Sequence, residues 1–255
     1  MDLSQSIIIS LVVFSASVLT FYSGFGLGTI LLPVFSLFFD IPIAIAMTAI
    51  VHLFNNSFKI SFLFKNVNWN VILKFGITAI IGAVIGAYLI DYLSQGINQS
   101  NSLNSKNIKL IIGIMICVFA IIDFLPNLGK NIQINNSLLG VGGFISGFFG
   151  GLSGHQGALR SLFLIKLNLE TKSYIATGVF ISIIIDISRL SIYSTSFGRV
   201  LTQNSVDFIL LALLFSTLGV VVGIKLIKKV TIQYLQYLVA VFLFTFGLLM
   251  IFGQV

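Results

Sequence analysis

The chain has 255 residues, 57% of them hydrophobic and only 8% charged, with a mean hydropathy of +1.09. A soluble domain carries about 25% charged residues, so this composition excludes soluble globular and disordered classes and identifies an integral membrane protein. The net charge of +7 would suggest nucleic acid in a soluble protein; here it reads as a topology signal, because Lys and Arg collect on the cytoplasmic side of membrane spans.

The chain starts Met1-Asp2-Leu3 with no basic run, and its first apolar stretch leads into glycines, so no cleaved signal is expected. That stretch, 7–39, is interrupted by Gly24, Phe25, Gly26, Leu27 and Gly28. Full-length helices are then predicted at 43–64, 69–90 and 108–125, each near the ~20 residues a bilayer needs. The polar loop 94–105 is too short to fold alone. A second apolar region, 137–167, is interrupted from Gly150 to Gly157, and further spans are predicted at 173–193, 205–227 and 232–252. As one straight helix, either interrupted region would be roughly 45–50 Å long against a ~30 Å hydrocarbon core. Each must bend back or break. Cys117 lies mid-span as a packing residue, and a lone cysteine excludes an internal disulfide or a cysteine metal cluster.

The two interrupted regions head two similar halves. A shift of 129 residues lays Gly28 on Gly157 and Thr48 on Thr177; a shift of 137 lays Gly82 and Gly86 on Gly219 and Gly223. The third span of each half thus carries the small-xxx-small pattern of close membrane helix contacts. The first half is 1–93 with 106–130, the second 131–255, within one transmembrane domain. Charge selects the topology. If each broken region crosses fully, the basic residues split evenly between the faces. If each is a re-entrant hairpin, Lys59, Lys65, Lys74, Lys130, Lys166, Lys172, Lys225, Lys228 and Lys229 share one face, with only Lys106, Lys109, Arg189 and Arg199 opposite. The second arrangement follows the positive-inside bias. It predicts an all-α polytopic protein of two inverted repeats, each a broken-helix hairpin plus three spans, with both termini outside the cytoplasm.

Non-helical backbone in a bilayer survives only where protein or a water-lined cavity covers it. Gly24, Gly26, Gly28, Gly154 and Gly157 give the breaks their freedom, and half-helices starting after Gly28 and Gly157 would aim N-terminal amides at an anion. The alternative is tight helix packing. His155, Gln156 and Arg160 add imidazole, amide and guanidinium. Arginine inside a membrane marks a substrate path, and its fork suits oxyanions; snorkelling, or pairing with Asp186, is the other reading. His52, Asn55, Asn56 and Lys59 fall at i, i+3, i+4 and i+7, one helical face, which would line a cavity or a helix contact. Asp186 and Arg189 form an i, i+3 pair, read as a buried ion pair or as a gate. His52, His155, Asp186 and Arg189 are the candidates for proton coupling or gating. No nucleophile elbow, zinc helix or phosphate loop appears, so no enzyme, metal site or cofactor is expected.

The run Gly24 to Gly28 into Leu32-Pro33, then Ala46-Met47-Thr48, Asn55-Asn56 and Asn66-Val67-Asn68-Trp69, resembles the sulfite exporter TauE/SafE family of bacterial and archaeal permeases. Gly150 to Gly154 with Ile175-Ala176-Thr177 is similar in the second half. The resemblance implies a secondary carrier in the cytoplasmic (inner) membrane for sulfite, sulfoacetate or other organosulfonates. The family's second glycine motif is often a run of glycines. Here Gly154, His155, Gln156 and Gly157, followed by Arg160, make it more polar and cationic. A passive anion channel, an uptake permease for a related anion and an intramembrane assembly partner are the alternatives. A homo-oligomer is left open.

Overall fold

In hydrocarbon, backbone N–H and C=O groups find no water, so each spanning segment must bond its own backbone as a helix. The computed structural model describes residues 3–23, 27–95, 102–124, 136–193, 203–226 and 232–254, and among them the chain is all-helical. Its helices are α1 (Leu3–Ser23), α2 (Leu27–Ser36), α3 (Ile41–Leu63), α4 (Ile77–Gln95), α5 (Ser102–Phe124), α6 (Asn136–Ser153), α7 (Gly157–Leu164), α8 (Thr171–Leu190), α9 (Gln203–Leu226) and α10 (Ile232–Ile251). Helix α4 is entered through a turn at Trp69–Val71 and a π segment at Ile72–Gly76.

Both interrupted regions are broken. The first arm, α1, has 21 residues and the second, α2, only 10. The corresponding arms α6 and α7 have 18 and 8. Gly24 and Gly26 lie outside the described residues. Among the described residues, five stretches are long and apolar enough to cross a bilayer: Leu3–Phe21, Ile41–Asn66, Trp69–Ser94, Thr171–Leu190 and Val206–Lys225. Six were expected, without the first of these. Helix α1 joins them because no residue interrupts it before Ser23, and α5 and α10, at the expected positions of the other two, are helices of 23 and 20 residues. The surface is apolar, with Leu73, Ile77, Tyr88, Leu210 and Leu214 all more than half exposed. Polar and charged side chains such as Lys59, Arg160, Asp186 and Arg189 are buried. This is the distribution a lipid solvent favours.

Local chemistry sets the element ends. Pro42 sits in the first turn of α3, where its missing N–H costs nothing. Asn68 caps the next turn by accepting the Val71 N–H at 3.2 Å, while its own N–H donates to Thr177 Oγ1 at 2.9 Å. Asn168, at φ 49°, closes the turn before α8 in the left-handed region that asparagine tolerates.

Packing pairs α1 with α9, α4 with α6, α3 with α8 and α5 with α10. Helices α3 and α8 run in opposite directions, since His52 meets Asp186 while Lys59, seven residues later, shares a cavity with Val179, seven residues earlier. Ser17 and Phe21 of α1 meet Asn55 and Lys59 of α3, so α1 runs the same way as α3. Likewise Gly150 of α6 and Gly154, just past its end, lie against Ile185 and Arg189 of α8. The α4–α6 seam is backbone against backbone. A Cβ at Gly82 or Gly86 would run into the carbonyls of Phe144 or Phe148, and one at Gly147 or Gly151 into those of Ala79 or Ala83. Gly219 and Gly223 meet α1 at Phe14, Ser17, Val18 and Phe21.

Gly147→Ala is expected to destabilise the protein by about 1–3 kcal/mol through overpacking. Gly140→Ala, whose added methyl would sit 3.6 Å from Thr78 Cγ2, is expected to hold or raise stability, as alanine favours helix. Thermal unfolding of the two variants in detergent checks the pair.

Candidate functional site

The polar face read on α3 meets a matching face on α8. Ser182, Asp186 and Arg189 recur at i, i+4 and i+7, the same spacing as His52, Asn56 and Lys59. Ser182 was not singled out from the sequence, although that shared spacing could have found it. The antiparallel crossing brings the two stripes together, with α7 and the end of α1 closing the sides.

Between them lies a small cavity, partly open to the outside. Its polar wall is His52, Asn56, Lys59, Arg160, Ser182, Thr20 and Tyr174, and its apolar wall includes Phe21, Ile175 and Val179. Among the described residues, no acidic side chain lines it. Lys59 is 3% exposed and Arg160 5%, so neither snorkels to a surface. The Lys59 ammonium stands 5.7 Å from the centre of the Phe21 ring, a cation–π distance. Arg160 Nη1 donates to Ser182 Oγ, whose own hydroxyl donates to the Gly178 carbonyl at 3.1 Å. Thr20 Oγ1, buried on the same wall, has no hydrogen-bond partner among the described residues. Sequence reasoning missed Thr20 and Tyr174, because a lone threonine or tyrosine in a span carries no spacing signal.

At the floor, Asp186 is fully buried and joins three elements. Its Oδ2 lies 2.6 Å from His52 Nδ1. Its Oδ1 accepts from Arg189 Nε at 3.0 Å, with Arg189 Nη2 at 2.8 Å as an ion pair but off the hydrogen-bond angle. Gln156 Nε2 points at the same oxygen from a long 3.5 Å. Asn56 Nδ2 sits 3.1 Å from His52 Nε2.

The breaks lie behind this floor. A Cβ built on Gly28 would stand 3.4 Å from the Gly154 carbonyl oxygen, 3.5 Å from Thr48 and 3.7 Å from the His52 ring. The two glycine segments therefore meet each other, against α3. Gly154 has φ +85°, and any side chain there would also press on Arg189 Nη1. Gly28 and Gly157 begin their half-helices here, off the cavity wall. His155 is turned aside: its ring stacks on Phe119 at 5.5 Å and Nδ1 faces Ser153 Oγ at 3.0 Å. Asn55 points to α1 and α9, donating to Ser17 Oγ at 3.0 Å and the Ser216 carbonyl at 3.3 Å. Past the breaks, Tyr193 donates to the Gly151 carbonyl. Burial pushes its phenol up to about 12, so it remains a neutral donor at physiological pH. The structure thus gathers His52, Asn56, Lys59 and Arg160 around one cavity, sets Asp186, Arg189 and Gln156 beneath it, and places Asn55 and His155 elsewhere.

Among the described residues no group of three His, Cys, Asp or Glu is placed to hold a metal ion. The cavity offers cationic and neutral donors, which suits a small oxyanion.

Removing Arg189 alone would leave the Asp186 carboxylate buried with only His52 and a distant amide. Arg189→Ala is expected to cost about 3–5 kcal/mol, the range for breaking a buried pair. The double variant Asp186→Asn with Arg189→Gln is expected to cost less than the two single changes together. A double-mutant cycle by thermal unfolding checks it.

Comparison with known proteins gives one family. The family model described as Sulfite exporter TauE/SafE matches residues 9–250, nearly the whole chain. No curated protein and no solved structure matches it.

Proposed function

The chain belongs to the sulfite exporter TauE/SafE family, and we propose that it moves its anion by alternating access, with the α3–α8 cavity as the binding site. Family membership makes it a membrane transporter of sulfite or sulfonate-type anions, not an enzyme. The observation that carries the site is the cavity wall itself: Lys59 and Arg160 are buried on it, with His52 at its floor and, among the described residues, no acidic side chain lining it. Buried cations in a membrane protein mark ion paths. Asn56, Thr20, Ser182 and Tyr174 supply neutral hydrogen bonds for the remaining oxygens.

The carrier works in the cytoplasmic membrane of a bacterium or archaeon, and export is its direction. Two inverted halves divide the chain near residue 131. The opposed directions of α3 and α8 support this, as does the exchange of partners, α1 on α9 and α6 on α4. Each long arm runs alongside the span that follows it and its short arm returns, which supports re-entrant hairpins. The hairpins place Lys59, Lys65, Lys74, Lys166 and Lys172 on one side. By the positive-inside rule that side is cytoplasmic, and the cavity opens toward it. The contact of Gly28 with Gly154 behind His52 favours a carrier over a channel, since the path ends there. The half-helix starts at Gly28 and Gly157 come into play when the halves rock and the floor opens.

Uptake of labelled sulfite, sulfate and methanesulfonate into proteoliposomes tests this reading. Arg160→Ala and Lys59→Gln are each expected to weaken the apparent affinity about 10- to 100-fold, matching about 1.5–3 kcal/mol for a charge-assisted hydrogen bond. Unchanged affinity in both variants would remove the site from this cavity. Flux at channel rates with no saturation would replace the carrier with a pore. A reporter active only in the cytoplasm, fused after Val255, is expected to stay silent; a signal from it would invert the orientation.

A further inference from the structure

We infer that His52 takes up a proton on Nε2 when the anion binds, so that one proton travels with each anion; this rests on the cavity being the anion site. The hydrogen-bond network sets the starting state of the ring. Asp186 Oδ2, 2.6 Å from Nδ1, can only accept, so the ring proton sits on Nδ1. Nε2 then carries a lone pair, and the Asn56 amide lies against the ring, 3.1 Å from Nε2 and 3.3 Å from Nδ1. His52 is neutral in this arrangement, with its Nδ1–H held by Asp186.

A proton added at Nε2 turns an acceptor into a buried donor, and Nε2–H needs an acceptor. An anion oxygen in the cavity, whose wall includes His52, is such an acceptor. Anion and proton therefore each strengthen the binding of the other. The charges facing His52 act in the same sense. From α8, Asp186 favours the protonated ring and Arg189 opposes it; Lys59 from α3 and Arg160 from α7 oppose it as well. Tyr174, across the cavity on α8, is a neutral donor. Asp186 and Arg189 cancel each other, so the added proton contributes a full positive charge at the floor. Without an anion, Lys59 and Arg160 repel it. With an anion bound, that repulsion is offset. His155 has no such position, because its ring is stacked on Phe119 away from the cavity wall.

The chain has two histidines, so nitrogen-15 histidine NMR of a His155→Gln variant in detergent reads the His52 ring alone. Adding sulfate or methanesulfonate at constant pH is expected to move Nε2 from a lone-pair to an N–H chemical shift, with Nδ1 protonated throughout. In proteoliposomes loaded with a pH-sensitive dye, wild-type protein is expected to carry about one proton per methanesulfonate or sulfate moved. His52→Gln is expected to lower the proton-to-anion ratio at least tenfold in whatever anion flux it retains. A ring that stays neutral with anion bound overturns the inference, and so does a His52→Gln variant that keeps the proton ratio. Anion flux without proton movement in the wild type overturns the coupling and leaves the transporter reading intact. Absence of anion binding and flux in the wild type overturns both.

Discussion

Asp186 has no solvent exposure and sits where the two central helices cross. A lone carboxylate in that position would cost several kcal/mol, so the surrounding chain is arranged to receive it. Arg189 comes from one turn further along the same helix, His52 from the opposing helix, and Gln156 from the break between α6 and α7. The crossing of α3 and α8 is therefore fixed by charge and direction, which lipid-facing leucines could not do. Once the crossing is fixed, Lys59 and Arg160 have one place to go, the gap that opens between the helices as they diverge from it. The cationic cavity is thus a consequence of the crossing.

Helix-on-helix backbone contact supplies the complementary element. Lipid tails give helices no hydrophobic reason to associate, so membrane bundles rely on close packing of small residues. Five glycines of α4 and α6 (Gly82, Gly86, Gly143, Gly147 and Gly151) meet the other helix's backbone with no space for a methyl. The charged centre is held in a frame whose outer walls interlock in this way, and the break at Gly154 brings irregular backbone against Arg189.

The sequence made the helices legible because lipid permits little else: runs of ~20 apolar residues between polar punctuation have one reading. The two breaks were visible as regions too long for a straight helix with glycines inside. Their unequal arms were not, because nothing in an apolar run of Ile, Val, Leu and Ser marks its depth. At the site, helical spacing correctly put His52, Asn56 and Lys59 on one face. It could not separate Asn55 from them, since i+3 and i+4 positions flank the same stripe and the neighbouring helices decide which faces the cavity. Asp186 was legible as a partner of Arg189, three residues on. Its closer partner in function, His52, lies 134 residues away, a contact only the crossing creates. His155, chemically attractive in the sequence, lost its place to an aromatic neighbour no spacing rule foretells.

The two glycine seams are not equally tight, and the difference has a mechanical meaning. On α9, a Cβ at Gly219 would be 2.5 Å from the Ser17 Cβ, whereas one at Gly223, a turn further on, would be 3.2 Å from the Phe21 Cβ. The seam loosens along α1 toward Phe21, and Phe21 with Thr20 forms a wall of the cavity. The α4–α6 seam stays tight through Gly151. The α1–α9 contact is therefore closest at Ser17 and less close at Phe21. A methyl added at Gly223 would press on a residue of the cavity wall, whereas one added at Gly219 would press on Ser17, the residue that holds Asn55.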